Sequence, residues 1–310
     1  MPFHPAARQP LRGIVFKLAA VVIFTAMSAL IKAASDRVPP GEAVFFRSLF
    51  ATPVILAWLL WQGNLVQGLR TGDPLGHLWR GLVGTVAMGL GFWGLGLLPL
   101  PEVTAIGYAT PLLVVVFGAM FLGEPVRKVR LLAVALGLAG VLVVLSPRLS
   151  VGAHASTAEA LGAVVTLGGA IFAALAQVFV RRLTMTEGTA AIVFWFSVTA
   201  TLLSLVTLPF GWVVPTMPEA TLLILAGLLG GMAQICLTSA YRFGEAGLVA
   251  PFDYASMLLA IAIGYAIFGE VPARTTLIGA AIIIGAGVLI IWREHRLGLL
   301  RTRGASAPDS

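Results

Sequence analysis

Residues 101–125, PEVTAIGYATPLLVVVFGAMFLGEP, and residues 247–272, GLVAPFDYASMLLAIAIGYAIFGEVP, are two versions of one stretch. Laid over each other without a gap, at an offset of about 146 residues, they bring Tyr108-Ala109-Thr110 onto Tyr254-Ala255-Ser256. The same register brings Leu122-Gly123-Glu124 onto Phe268-Gly269-Glu270. Each copy is an apolar run of about 20 residues, the length a helix needs to cross the hydrocarbon of a bilayer. Each closes on Gly-Glu with a proline beside it, the punctuation of a helix end at a water interface.

The rest of the chain agrees. Of 310 residues, 59% are hydrophobic and 11% charged, and the mean hydropathy is +0.98. The apolar residues come in blocks rather than stripes, which excludes an ordinary soluble domain and defines a polytopic membrane protein. Cys236 is the single cysteine and sits in an apolar run, so there is neither a disulfide framework nor a cysteine metal site. The formal charge of +7 is read as basic loops at a membrane face rather than a nucleic-acid surface.

Ten apolar spans are expected, near 13–33, 42–61, 79–97, 103–123, 129–146, 160–180, 189–209, 219–240, 247–268 and 275–292. The first is read as a helix, not a cleaved leader. The basic tail 293–310 is expected to be disordered and cytoplasmic. An even number of spans puts both ends on one side. With the ends inside, fifteen lysines and arginines fall to the inner segments, Lys17, Arg80, Arg181 and Arg242 counted there. Four fall outside (Lys32, Arg37, Arg148, Arg274), and Arg47 is left within a span. Both ends are therefore expected in the cytoplasm, and the chain in the cytoplasmic (inner) membrane. Five spans per copy make equivalent helices run in opposite directions, an inverted repeat of 13–146 and 160–292 about an axis in the membrane plane. Further echoes support the repeat: Gly81 and Gly84 answer Gly227 and Gly230 in the same register, and Phe45-Phe46 answers Phe194-Trp195 after a shift of three residues.

With its ten spans, its five-plus-five inverted repeat, Phe45-Phe46-Arg47 in the second span and Gly-Glu closing the fourth and ninth, the chain resembles the EamA-type branch of the drug/metabolite transporter superfamily. The likeness runs from about residue 12 to 295. It implies an all-α fold and secondary transport of a small organic metabolite: an amino acid, or a nucleoside-like or vitamin-like solute. Phe45-Phe46-Arg47-Ser48 is most similar to carriers of S-adenosylmethionine and riboflavin. The second copy has Phe196 where the first has Arg47.

Arginine in hydrocarbon costs at least ~2.5 kcal/mol, so Arg47, roughly 9 Å from the outer surface, must snorkel, gate or meet an anion or substrate. Asp253 is the one acid inside a span away from its ends, roughly 9 Å from the inner surface and thus about 12 Å from Arg47 in height. Its roles would be to hold a cationic group, carry a coupling proton, or partner Arg242. Tyr108 and Tyr254 are the equivalent pair expected to flank a central cavity, or else to anchor at the headgroups. Trp93, Gln177, Trp195, Gln234 and Thr238 are further cavity candidates, the polar ones serving equally as glue between helices. Gly107 and Pro111 mark an expected kink and hinge within the fourth helix. Glu124 and Glu270 are read as structural residues at helix ends. The glycines of the third span allow close helix packing.

No phosphate-binding P-loop sequence is present, which argues against direct nucleotide hydrolysis. An intramembrane enzyme or a channel is the competing class. His4, His77, His154 and His295 lie outside the expected spans, and Cys236 has no histidine near it in sequence. No metal and no cofactor is expected. The partners implied are a small-molecule substrate and the lipid bilayer, with no nucleic acid; a coupling proton or exchange substrate and a homodimer are left open.

Overall fold

The computed structural model describes residues 9–122, 128–149, 156–243 and 250–305. Among these the secondary structure is helical throughout, with no strand. The long helices are α1 (Pro10–Ala34), α2 (Pro40–Trp61), α4 (Pro74–Leu97), α7 (Lys128–Leu149), α8 (Thr157–Leu183), α9 (Thr189–Ser204), α10 (Met217–Phe243) and α12 (Arg274–Ala305). Shorter pieces are α3 (Leu65–Leu69), α5 (Leu100–Gly107), α6 (Ala109–Leu122) and α11 (Ala255–Phe268). A 3-10 turn, Leu205–Phe210, extends α9, and another, Ala250–Tyr254, leads into α11. Eight helical stretches are long and apolar enough to cross a membrane, and two shorter apolar ones, Phe252–Phe268 and Arg274–Leu289, complete the set among the described residues.

Local sequence sets the ends. Prolines open α1, α2 and α4 and stand at the second position of α5, where a helix has no use for the missing N–H. Asp73 caps α4 by accepting from the Gly76 amide, and Ser156 caps α8 from the Glu159 amide. Gly269 ends α11 in the left-handed conformation, φ +64°. There the Glu270 amide reaches back to the Gly264 carbonyl, a reversal that a side chain at that φ would strain. Its counterpart Gly123, with Glu124, lies outside the described residues.

The fourth expected span is continuous in hydropathy but not in structure. Its helix stops at Gly107 and resumes at Ala109, with Tyr108 as the joint. Pro111 therefore stands in the first turn of α6 rather than in a helix interior, because the break comes three residues before it. The equivalent Tyr254 is likewise a joint, between the 3-10 turn and α11.

Packing follows a pattern of exchanges. α1 lies along α10, and α8 lies along α4; α2 touches α10, and α4 touches α9. α2 meets α9, α5 meets α11, and α7 lies along α12. α7 and α12 approach so closely at Gly140 and Gly279 that a Cβ on either would press on the other's carbonyl oxygen, at 2.9 and 2.6 Å. Of the third span's glycines, Gly81, Gly84 and Gly94 are closed in by neighbours, whereas Gly89 and Gly91 have open space. Leucines and valines such as Leu132, Leu142, Leu202 and Leu258 cover the outside, as a lipid-facing surface requires.

Candidate functional site

The two helix breaks meet. The rings of Tyr108 and Tyr254 pack edge to face, with centroids 5.2 Å apart. The Tyr108 hydroxyl lies 2.8 Å from Ser256 Oγ. Ser256 gives its own proton to the Asp253 carbonyl at 2.6 Å, so Tyr108 is the donor of that bond. The Tyr254 carbonyl is also within its reach at 3.2 Å. On α12, Gly287 leaves the space that the Tyr254 hydroxyl fills; a Cβ there would collide with it. Residues at equivalent places in the two copies thus hold each other.

They form part of the wall of a cavity of about 730 Å³. Of the residues expected there, Arg47, Tyr108, Gln177, Gln234, Thr238, Asp253 and Tyr254 line it, and so do Gly107 and Pro111, the residues of the expected hinge. Trp93 and Trp195 do not. Trp93 is 40% exposed on the outside of α4. Trp195 donates its indole N–H to the Leu69 carbonyl at 3.0 Å and so fastens α3 to α9. An aromatic within a span has one good cavity-facing direction and several outward ones, and sequence position does not choose among them.

Among the lining residues not singled out from the sequence as cavity candidates are Lys17, Arg80, Arg181 and Phe196. Lys17 is buried, 2% exposed, and its ammonium lies 2.7 Å from the Asp253 carboxylate. That pairing, between α1 and the turn before α11, replaces the Arg242 partnership considered from the sequence. Arg47 and Asp253 share one cavity wall, although the depth estimate set them at different heights. The guanidiniums of Arg47 and Arg80 both lie over the ring of Phe196, their central carbons 5.7 and 4.0 Å from its centroid. Lys17 and Arg80 fall inside the expected spans 13–33 and 79–97, and a basic residue inside an apolar run was the available signal.

At one end the helices are tied together. Lys32 pairs with Glu270 at 3.0 Å and donates to the carbonyls of Leu95 and Leu98. Glu270 also accepts the Leu100 amide at 2.8 Å. Arg148 bridges Glu102 and Glu159, and Glu42 accepts the Val213 amide. Glu159 stands at the start of α8. The cavity wall includes Arg181 and Thr184, at the far end of the same helix, about 33–38 Å away along its axis. His77 lies on that second side near Glu187, at 3.8 Å. No group of three or more metal-binding side chains gathers among the described residues.

A multi-pass helical membrane protein whose broken helices border a largely apolar cavity with several cationic side chains in its wall has the build of a small-molecule transport protein. The chain belongs to the EamA-like transporter family, whose pattern it matches twice, over residues 11–146 and 160–292. It is similar to the pseudopaline exporter of Pseudomonas aeruginosa, at 31% identity over 90% of this chain and 95% of the relative. It is 28% identical to the S-adenosylmethionine uptake transporter of Rickettsia bellii over 92% of this chain and 94% of that one. The riboflavin transporter of Rhizobium johnstonii is 31% identical over 83% of each. One solved crystal structure superposes with a TM-score of 0.68 at 23% identity, covering 92% of this chain and 98% of its own, and so shares the fold.

Proposed function

We propose that this chain is a secondary transporter that moves a small organic metabolite across the cytoplasmic membrane by alternating access, its ten spans forming two inverted five-helix repeats, 13–146 and 160–292. The observation that carries the reading is the meeting of equivalent breaks: Tyr108 and Tyr254 in contact at one cavity, each at the joint of an interrupted helix. Interrupted helices at a repeat interface are where carriers of this build hold their substrates. The exchange pattern of packing, α1 on α10 as α8 on α4, is what a two-fold relation between the halves produces.

The ties at Lys32–Glu270, Glu102–Arg148–Glu159 and Glu42–Val213 act as a closed gate on one side, with the cavity reaching Arg181 and Thr184 on the other. The excess of basic residues in the inner segments, which persists without Lys17 and Arg80, supports the tied side as the outer one and both chain ends as cytoplasmic. The solutes in the relatives' names, pseudopaline, S-adenosylmethionine and riboflavin, share no charge or shape that would select one for this chain. The chemistry of the wall must do so. Counterflow in proteoliposomes is the test. Vesicles loaded with unlabelled metabolite should transiently accumulate the labelled form with saturable kinetics; flux that is linear in concentration and indifferent to the trans side would refute a carrier.

A further inference from the structure

Arg47 on α2 and Arg80 on α4 are 2% and 8% exposed, yet neither has a carboxylate within salt-bridge distance among the described residues. Arg47 makes one long hydrogen bond, Nη2 to the Gly230 carbonyl at 3.4 Å, and its Nε and Nη1 have no partner. Arg80 Nε has none either. Both guanidiniums lie over one ring, Phe196, so their centres are within about 10 Å of each other, where like charges in a poorly hydrated site repel. Space for them is made by two glycines at equivalent places in the repeat. A Cβ on Gly230 would press on Arg47 Nε at 2.8 Å, and one on Gly84 would run into Arg80 Nη1 and Phe196. The other buried cation, Lys17, is matched by Asp253. Excess positive charge therefore concentrates at the arginine pair, in the wall of the cavity.

We propose that Arg47, Arg80 and Phe196 form a clamp for the anionic group of the transported solute, making the substrate an organic anion that bears a carboxylate or phosphate; this rests on reading the cavity as a carrier's binding site. A guanidinium offers five N–H donors in a planar fork that matches either oxyanion. One anion between two such forks supplies the missing hydrogen-bond partners and relieves the repulsion. The ring of Phe196 gives both cations an electron-rich face and keeps water from taking the anion's place. At about 730 Å³ the cavity accommodates a metabolite-sized solute. A cationic solute would meet two uncompensated like charges.

The test is thermal stabilisation of the purified protein at constant ionic strength by succinate, citrate, inorganic phosphate and glycerol 3-phosphate, against succinamide and choline as neutral and cationic controls. At least one anion should stabilise saturably and neither control should. The split between carboxylates and phosphates tells which oxyanion the clamp takes. Arg47→Gln and Arg80→Gln should each weaken that binding by about tenfold or more, and Arg70→Gln on the exposed α3–α4 connection should leave it unchanged. Should a glutamine variant not fold, Arg47→Lys and Arg80→Lys keep the charge but lose the fork, and a loss of about fivefold is expected. No stabilising anion, equal stabilisation by succinamide, or unchanged binding in the arginine variants would overturn the clamp. Anion binding through these arginines without counterflow would remove the carrier reading and leave the clamp. Counterflow of a neutral or cationic solute without anion binding would remove the clamp alone.

Discussion

Glu270→Gln should loosen the whole tied face, not one bond. Glu270 is 15% exposed and pairs at 3.0 Å with Lys32, itself 13% exposed. Glutamine keeps an oxygen for the Leu100 amide, so the substitution removes charge while sparing that acceptor. A hydrogen bond to a charged group contributes ~1.5–3 kcal/mol against ~0.5–1.5 for a neutral one, so the loss is about 1–1.5 kcal/mol. That corresponds to about a tenfold rise in the ratio of open to closed. Hydrogen exchange read at two amides tests it. Leu100 is held by Glu270, whereas Val213 is held separately by Glu42. If the ties open together, both amides should exchange about tenfold faster in the variant. Acceleration at Leu100 with Val213 unchanged would show a local bond broken and no gate.

Lys17 and Asp253 should be coupled in a double-mutant cycle with Lys17→Gln and Asp253→Asn. Because the carboxylate is 36% exposed to the cavity, a coupling of about 1–3 kcal/mol in thermal stability is expected, and additivity within ~0.5 kcal/mol would refute it. Gly107→Ala, at a position with open space around a Cβ, should raise stability by ~0.5–1 kcal/mol while slowing turnover at the joint before Tyr108; parental turnover would remove Gly107 from the hinge. With Cys236 replaced, a cysteine at Val214 should react with an impermeant reagent outside the cell and one at Met185 should not, both sites being exposed. The reverse pattern would invert the orientation.

Much of this was legible in the sequence because hydropathy reports depth. The apolar blocks became helices near their expected bounds, and the alignment of Tyr108 with Tyr254 anticipated a contact between residues far apart in the chain. Gly107 marked where the fourth helix stops, although the joint is Tyr108 and Pro111 stands in the first turn of the next piece. Direction around a helix axis was not legible, since it depends on neighbours distant in sequence. Hence Trp93 and Trp195 turned away from the cavity, and Lys17 and Arg80 turned into it. Phe196, noted as the residue in place of a second Arg47, proved to be the ring on which Arg47 rests, because the repeat brings the two equivalent positions together.

Gln177 lines the cavity from α8, and a cysteine placed there in a protein lacking Cys236 tests alternating access most directly. Its reaction with an impermeant thiol reagent would be timed in inside-out and right-side-out vesicles. Labelling should be fast from the Arg181 side, slow from the Lys32–Glu270 side, and about tenfold faster from that second side once Glu270→Gln is added. Labelling from one side only, unmoved by Glu270→Gln, would contradict a cavity that opens to each face in turn.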